Sequence, residues 1–262
     1  MNFVVAVKQV PDTAEVRIDP ERGTLIRKGV PSILNPFDVY ALEEALRWRD
    51  ELGGTVTVIT MGPRQAEDVL REAISLGADE AILLNDRAFA GADTWATGHT
   101  LAAAVERLGE VDAVFFGKQA IDGDTAQTGP SVAASLDWVQ VTFVGKVREM
   151  TKDTVTVERY VETGTQVVRA SLPAVLTILK DANTPRVSSL RSKMRARKAD
   201  IPVWGIEELG LPKEVTGLKG SPTRVVATRT PEVRKTGKVH TGSPEELASM
   251  LADRLLGQRE EG

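Results

Sequence analysis

The chain has 262 residues, a formal net charge of −4 and no cysteine. Its hydrophobic (42%) and charged (27%) fractions match an average soluble protein and argue against wholesale disorder or a membrane protein. The missing cysteines exclude disulfides, thiolate catalysis and cysteine-ligated iron–sulfur clusters, and the acidic balance argues against a nucleic-acid binder. Neither His99 nor His240 has a second histidine at ligand spacing, so metal sites and catalytic triads are not expected. No segment resembles a signal peptide, so we expect a cytoplasmic, non-catalytic protein without membrane insertion.

The first half of the chain predicts four repeats of a strand followed by a helix. Short apolar runs, typical of strands buried on both faces, occupy residues 3–7, 55–61, 81–84 and 111–116. Helical patterns with plausible caps follow at residues 35–53, 65–77, 93–109 and from 130 onward. The long connection after the first strand, up to residue 31, contains short alternating pieces and predicts a hairpin-like excursion. Four such repeats imply right-handed crossovers, and therefore a parallel sheet covered by helices on both faces.

The second half departs from this pattern. Period-two alternation predicts antiparallel strands at residues 141–147, 154–161 and 165–171, and an apolar strand at 174–179 that could complete the sheet edge. Residues 186–198 carry six cations and no acid. Short pieces rich in Gly and Pro follow, then a capped amphipathic helix at residues 243–256. We interpret this tail as an arm that packs on another subunit, although a surface wrap of its own domain would also explain it.

Residues 117–130, GKQAIDGDTAQTGP, combine the end of a strand, a cluster of turn residues and a helix start. Gly123, Ala126 and Gly129 are small enough to let an anion approach the main chain. Thr125, Gln127 and Thr128 add neutral hydrogen-bond donors. The stretch, which we call the cradle, therefore predicts a phosphate site, although it is neither a Walker loop nor a GxGxxG fingerprint. An ordinary connection rich in turn residues fits it about as well.

The predicted topology adds support for a nucleotide site. In open α/β sheets a ligand lies beyond the carboxyl ends of the strands, where the strand order reverses. Three segments should converge there: residues 6–8, residues 61–63 and residues 117 onward. Small or flexible residues at this edge leave room for a planar base, so the nucleotide interpretation becomes the stronger one.

Over nearly its full length the chain resembles the β subunits of electron-transferring flavoproteins. The resemblance rests on motifs that occur in the family's order: VAVKQVPD (5–12), NPFD (35–38), MGP (61–63), GKQAIDGDTAQTGP (117–130), LPAVLTI (172–178) and TPRVSSL (184–190) before a basic helix. It implies a heterodimer with an α subunit that holds most of one electron-transferring FAD. It also implies a second nucleotide, AMP in most members, in the β subunit.

The implied fold is a three-layer α/β/α domain of the adenine-nucleotide-binding type, with a mainly parallel sheet, antiparallel edge strands and an extended C-terminal arm. The corresponding divisions are residues 1–182 for the nucleotide-binding domain, 183–199 for a partner-recognition loop and basic helix, and 200–262 for an arm on the α subunit. By resemblance the second nucleotide would contact Ala6, Asn35, Pro36, Phe37, Asp38, Met61, Gly117, Lys118, Gln119, Ala120, Ile121, Asp122, Gly123, Asp124, Thr125, Ala126, Gln127 and Thr128.

Two of these implications concern single apolar residues. Phe37 would also lie near the shared FAD, although the sequence alone favours a core residue of its helix. Leu190 would lead a recognition loop that anchors in a hydrophobic pocket of a partner dehydrogenase. Without the resemblance, Leu190 and Met194 form the apolar face of a short helix whose cations face solvent.

The motif at residues 122–130, together with Asp93, Thr94 and Thr97, is closer to family members that hold a second FAD and support electron bifurcation. Thr94 and Thr97, at a helix N-terminus, could bind its second phosphate, although Asp and Thr are also ordinary N-caps. The resemblance implies an electron carrier of fatty acid oxidation. It would accept electrons from flavin dehydrogenases such as acyl-CoA dehydrogenases and pass them to a respiratory acceptor of the ETF-quinone oxidoreductase type. A bifurcating flavoprotein and a non-redox AMP- or ATP-binding regulatory protein are the alternatives.

Overall fold

The computed structural model describes residues 1–12, 17–18, 25–26, 31–224, 226 and 237–257. The chain divides into two compact units, residues 1–226 and residues 227–262. The first unit contains a nine-stranded sheet with helices on both faces. No helix among the described residues is long and apolar enough to cross a bilayer.

The chain begins with β1 (Asn2–Ala6), followed by β2 (Gln9–Pro11), β3 (Arg17–Ile18), β4 (Leu25–Ile26) and β5 (Ser32–Leu34). Strand β2 pairs antiparallel with β5, and β3 with β4. The hairpin-like excursion predicted from the alternating pieces is therefore confirmed for the residues that are described. It returns the chain to the end of β1, because the amide of Asn35 donates to the carbonyl of Lys8 at 2.9 Å.

The strand–helix repeats follow as α1 (Pro36–Leu52), β6 (Thr55–Met61), α2 (Glu67–Leu76), β7 (Glu80–Leu84), α3 (Thr94–Leu108), β8 (Ala113–Gly117) and α4 (Thr128–Leu136). Their boundaries have local causes. Helix α2 ends at Gly77, whose φ of 131° is available to glycine but strained for other residues. Helix α3 begins where the Asp93 carboxylate accepts the amide of Ala96 at 3.0 Å. The four predicted repeats are confirmed.

The remaining strands of the sheet are β9 (Val139–Met150), β10 (Thr154–Val161), β11 (Gly164–Ser171) and β12 (Ala174–Ile178). Strands β9, β10 and β11 form the predicted antiparallel ladder. The expectation that the last apolar strand completes the sheet edge is wrong, because β12 lies inside the sheet, parallel to β8 and β9. All five of its residues are buried, which an interior position explains.

Residues after 183 add α5 (Leu190–Lys198), β13 (Val203–Trp204), α6 (Ile206–Leu209) and α7 (Gly217–Gly220) to the first unit. Strand β13 pairs with β7 and forms one edge of the sheet. The division between compact units falls after residue 226, and the expected functional divisions after residues 182 and 199 stay predictions. The second unit contains α8 (Pro244–Gly257), which begins with the expected capping box of Ser243 and Glu246. The partner roles expected for these segments stay predictions.

Side chains of the central strands alternate between two cores. Phe3 and Val5 of β1 join one apolar cluster with α1, α2 and α5, whereas Val4 and Ala6 join another with α3, α4 and α6. Phe3 also packs edge-on against Phe115 of β8, with ring centroids 5.7 Å apart. The fold is therefore the predicted three-layer α/β/α arrangement with a mainly parallel sheet.

Candidate functional site

The strand order reverses between β1 and β8. The sheet order is β11-β10-β9-β12-β8-β1-β6-β7-β13, so the chain moves outward from β1 through β6 and β7 before it returns to β8 on the other side of β1. Ala6 is in register with Ile59 and Phe116, which puts Ala6, Met61 and Gly117 at the same edge of the sheet. The predicted convergence of the three segments is confirmed. Ligands of open α/β sheets bind at such a switch point.

Asn35 is a fully buried residue that organises this edge. It occupies the N-cap position of α1, but its side chain makes no capping hydrogen bond to the helix backbone. Its Nδ2 donates to Asp38 Oδ1 at 2.8 Å and to the Gln119 carbonyl at 2.9 Å. Its Oδ1 accepts the amide of Ile121 at 3.2 Å. One side chain therefore joins the first turn of α1 to the first half of the cradle, residues 117–123; its second half is residues 124–130.

The carboxyl group of Asp38 is buried beneath the same edge. Its Oδ2 accepts the amide of Lys8 at 2.8 Å. Burial raises the pKa of Asp38 to about 7, against the opposing effect of hydrogen bonds from Asn35, Lys8 and Gly117. A Cβ at Gly117 would collide with the Asp38 carboxylate and with the backbone of Phe37, so this close approach requires glycine. Asp38 thus holds the ends of β1 and β8 against the start of α1.

The first half of the cradle is held by further polar contacts. The amide of Lys118 donates to the Ile178 carbonyl at 2.8 Å, which continues the pairing of β8 with β12. Gln119 Nε2 donates to Asp124 Oδ1 at 2.7 Å. The ammonium of Lys8 contacts both carboxylate oxygens of Asp122, at 2.7 and 2.9 Å. The sequence interpretation did not assign a role to the side chain of Lys8.

The second half of the cradle has unpaired donors. Among the described residues, the amides of Thr125, Ala126 and Thr128 have no hydrogen-bond acceptor. Asp124 and Ala126 stand at φ of 50° and 53°, in the left-handed region that is unfavourable for alanine. Residues with such positive φ values are strained, and strained residues concentrate at functional sites. Alternation of left-handed and ordinary backbone conformations also turns successive amides toward one concavity, which can bind an anion. A Cβ at Gly123 would meet no atom within 4 Å, so the loop is open on that side.

The N-termini of α3 and α4 lie side by side at this edge. A Cβ at Gly98, in the second turn of α3, would stand 2.6 Å from the Cβ of Ser131 in the first turn of α4, so the two helices are in close contact near their N-termini. At the start of α4, a Cβ at Gly129 would stand 2.8 Å from Cγ2 of Thr177. Both glycines therefore permit close packing. Each helix follows a strand of the parallel part of the sheet, so both helices begin on its carboxyl side, where free helix amides favour an anion.

Thr94 and Thr97, the candidate residues for a second phosphate, lie in the first turn of α3 and are half-buried. Asp93 acts as the N-cap that the simpler interpretation expected. Its carboxylate also accepts the amide and the hydroxyl of Thr223, at 3.0 and 2.7 Å. A segment from the far end of the first unit therefore covers part of this helix start.

The other predicted residues are placed as follows. Pro36 is exposed and Phe37 half-exposed in the first turn of α1, and Phe37 belongs to neither apolar cluster, so its expected role as a core residue is wrong. Ala120 and Ile121 lie in the first half of the cradle, and Gln127 directly precedes α4. Leu190 does not join this group. It starts α5, which packs against α2, and its side chain is 77% exposed.

Comparisons with known proteins match this chain over most of its length. The model of the electron transfer flavoprotein domain family matches residues 22–209. The electron transfer flavoprotein subunit beta of Thermoanaerobacterium thermosaccharolyticum is 52% identical, over 97% of this chain and 98% of the relative. The caffeyl-CoA reductase-Etf complex subunit CarD of Acetobacterium woodii is 48% identical, over 97% and 98%. Protein FixA of Azotobacter vinelandii is 44% identical, over 98% and 95%.

Proposed function

Because the chain belongs to the electron transfer flavoprotein family as a β subunit, we propose that it is the nucleotide-binding half of an α/β electron carrier. The observation that carries this proposal is the cradle. Its free amides at Thr125, Ala126 and Thr128 lie at the switch point of the sheet, beside two helix N-termini. A non-redox regulatory protein loses support, since the family is one of electron carriers.

The occupant we propose is an adenine nucleotide, either AMP or the AMP half of FAD. The free amides would hold a phosphate, while Ala6 and Met61 at the strand ends would leave space for the adenine. The open side at Gly123 is where the ligand would enter. Asn35 and Asp38 would hold the loop in its binding shape without moving on binding. A bound flavin would supply the electron-transfer chemistry, and Phe37, half-exposed at the edge, would lie near the FAD shared with the α subunit.

Of the two occupants, we propose a second FAD rather than AMP. The tight contact between Gly98 and Ser131 brings the start of α3, with Thr94 and Thr97, beside the start of α4. A pyrophosphate could then use both helix N-termini, whereas AMP needs only the cradle. The relative named as a subunit of the caffeyl-CoA reductase-Etf complex is consistent with a partner that acts on a CoA thioester. Acyl-CoA dehydrogenases as donors, an ETF-quinone oxidoreductase as acceptor, a role in fatty acid oxidation and a cytoplasmic location stay predictions.

The test is a count of nucleotides in the native complex. The chain is copurified with its α subunit, the complex is precipitated with acid, and the released AMP and FAD are quantified per heterodimer. Two FAD per heterodimer would support the second FAD, and one FAD with one AMP would support the AMP alternative. One FAD with no other nucleotide would contradict a nucleotide site in this chain.

A further inference from the structure

The cradle contains two carboxylates, which is unexpected for a loop that binds phosphate. Asp122 and Asp124 flank Gly123, directly before the free amides of Thr125 and Ala126. A like charge within about 8 Å of an anion, the screening length at physiological ionic strength, weakens its binding. A carboxylate beside the phosphate therefore weakens its binding unless a counter-charge offsets it.

The two carboxylates differ in their partners. Asp124 accepts a neutral hydrogen bond from Gln119, which leaves its charge in place. Asp122 has a full counter-charge, because Lys8 Nζ lies 2.7 and 2.9 Å from its two oxygens. Lys8 is suited to this role, since its amide donates to Asp38 and its carbonyl accepts from Asn35. Its backbone is thus fixed to the end of β1, and its side chain reaches across to the loop.

The ion pair has little value for stability by itself. The side chains of Lys8 and Asp122 are 48% and 31% exposed, and an ion pair of that exposure contributes little to folding. The position of this ion pair indicates its role better than its contribution to stability does. Among the described ion pairs it is the one that joins the cradle to the end of a neighbouring strand.

We propose that Lys8 is a charge-positioning residue of the nucleotide site, which neutralises the Asp122 carboxylate and holds it aside so that the free amides of Thr125, Ala126 and Thr128 can bind a phosphate. The proposal rests on the proposed nucleotide site and names a residue outside the expected ligand set. It differs from direct contact between Lys8 and the phosphate in one respect. If Lys8 acts through Asp122, removal of both charges restores binding, whereas a direct contact would stay lost.

The experiment is a double-mutant cycle with the full-length chain and its α subunit, using AMP and FAD as the titrated probes in isothermal calorimetry after removal of bound nucleotide. The variants are Lys8→Met, Asp122→Asn and the combination of the two. We expect Lys8→Met to weaken nucleotide binding by roughly tenfold at low salt. Asp122→Asn should bind like the wild type or more tightly, and the double variant should return to within about threefold of the wild type.

Salt dependence provides a second readout. The repulsion that Lys8→Met exposes should shrink as salt is raised from about 50 to about 500 mM, because screening acts on the uncompensated carboxylate. Lys219→Met is the matched control, since Lys219 forms an exposed ion pair with Glu214 at 2.8 Å outside the cradle. This control should leave nucleotide affinity unchanged.

Three results would overturn the proposal. They are a Lys8→Met variant with unchanged affinity, a double variant as weak as Lys8→Met, and an Asp122→Asn variant that loses more than about tenfold. The affinity of Asp122→Asn can be measured even if Lys8→Met fails to fold. A loss of affinity in Asp122→Asn would mean that Asp122 is itself a ligand of the nucleotide. If the wild-type complex binds neither AMP nor FAD in this site, the proposed function itself fails and this role fails with it.

Discussion

Asn35 joins three segments with one amide side chain, and its removal would be felt in both folding and binding. Asn35→Ala leaves Asp38 Oδ1 and the Gln119 carbonyl without their donor. We expect a loss of about 1–3 kcal/mol in the free energy of unfolding, measured with urea, and at least a tenfold loss of nucleotide affinity. Asn183→Ala is the control, because Asn183 is a half-buried asparagine that bonds to Tyr40 and Glu44 on α1. It should lose stability but keep nucleotide affinity. Equal affinities in the two variants would contradict the role of Asn35.

Asp38 predicts a pH dependence of stability with a definite sign. Its pKa is raised to about 7 in the folded chain, so between about pH 4 and pH 7 the native state keeps a proton that the unfolded chain releases. The stability contributed by this group is therefore fully present below about pH 4, is lost progressively as the pH rises, and is gone above about pH 7. The loss is at most about 1.4 kcal/mol per pH unit in that window. We expect the stability of Asp38→Asn to vary less than that of the wild type between pH 5 and 8 in urea unfolding. Parallel pH profiles would contradict the assignment.

The segment that we expect to be a recognition loop, residues 183–199, is fixed at both ends. Arg186 bonds to Glu43 of α1 at 2.8 Å, and Arg195 donates to the carbonyls of Ile74 and Ala78 at the end of α2, at 2.9 and 2.6 Å. Arg195 is exposed, as expected for a cation on a solvated face, yet its guanidinium is also held against the end of α2. Between these anchors the side chain of Leu190 stays exposed. A leucine held outward in this way suits a pocket on a partner.

Leu190→Ala should therefore weaken association with a flavin dehydrogenase without affecting the fold. Burial of one leucine at an interface is worth about 1.5–3 kcal/mol, which corresponds to a roughly ten- to hundred-fold loss of affinity. The measurement is dehydrogenase-dependent reduction of the flavin, beside thermal unfolding and reduction by dithionite, both of which should be unchanged. Val167→Ala, at an exposed position of β11, is the control and should behave like the wild type. Unchanged electron transfer, or ready unfolding of Leu190→Ala, would contradict the anchor.

The sequence was sufficient for local elements and insufficient for non-local partners. The apolar run of β6 and the alternation of β10 predict these strands to within a residue, because the pattern is local. The apolar run of β12 likewise predicts that this strand is buried. Its position between β8 and β9, however, depends on pairing between segments that are distant in sequence. Lys8 was missed for the same reason, since its partner Asp122 lies 114 residues away. An asparagine before a helix locally suggests an N-cap, yet the side chain of Asn35 binds a loop that is distant in sequence.

At the scale of the whole molecule, α8 has no buried residue, and leucines at 247, 251 and 255 recur along it at helical spacing. A helix of this composition is suited to a partner surface, and an α subunit is the partner that family membership implies. We therefore expect the isolated chain to bind flavin weakly and coexpression with the α subunit to restore it. Absorbance of bound flavin in both preparations is the measurement. An isolated monomer that keeps stoichiometric FAD and accepts electrons would contradict this division of labour.

The central claim is that the cradle holds a nucleotide phosphate, and Gly123→Leu tests it most directly. A Cβ at Gly123 meets no atom within 4 Å, so the substitution should leave the fold intact and fill only the space in which a ligand would lie. The measurement is the AMP and FAD content of the variant heterodimer beside the wild type, with thermal unfolding as the check on folding. We predict that the variant loses one nucleotide per heterodimer and keeps the FAD shared with the α subunit. A folded variant with the same nucleotide content as the wild type would contradict the claim.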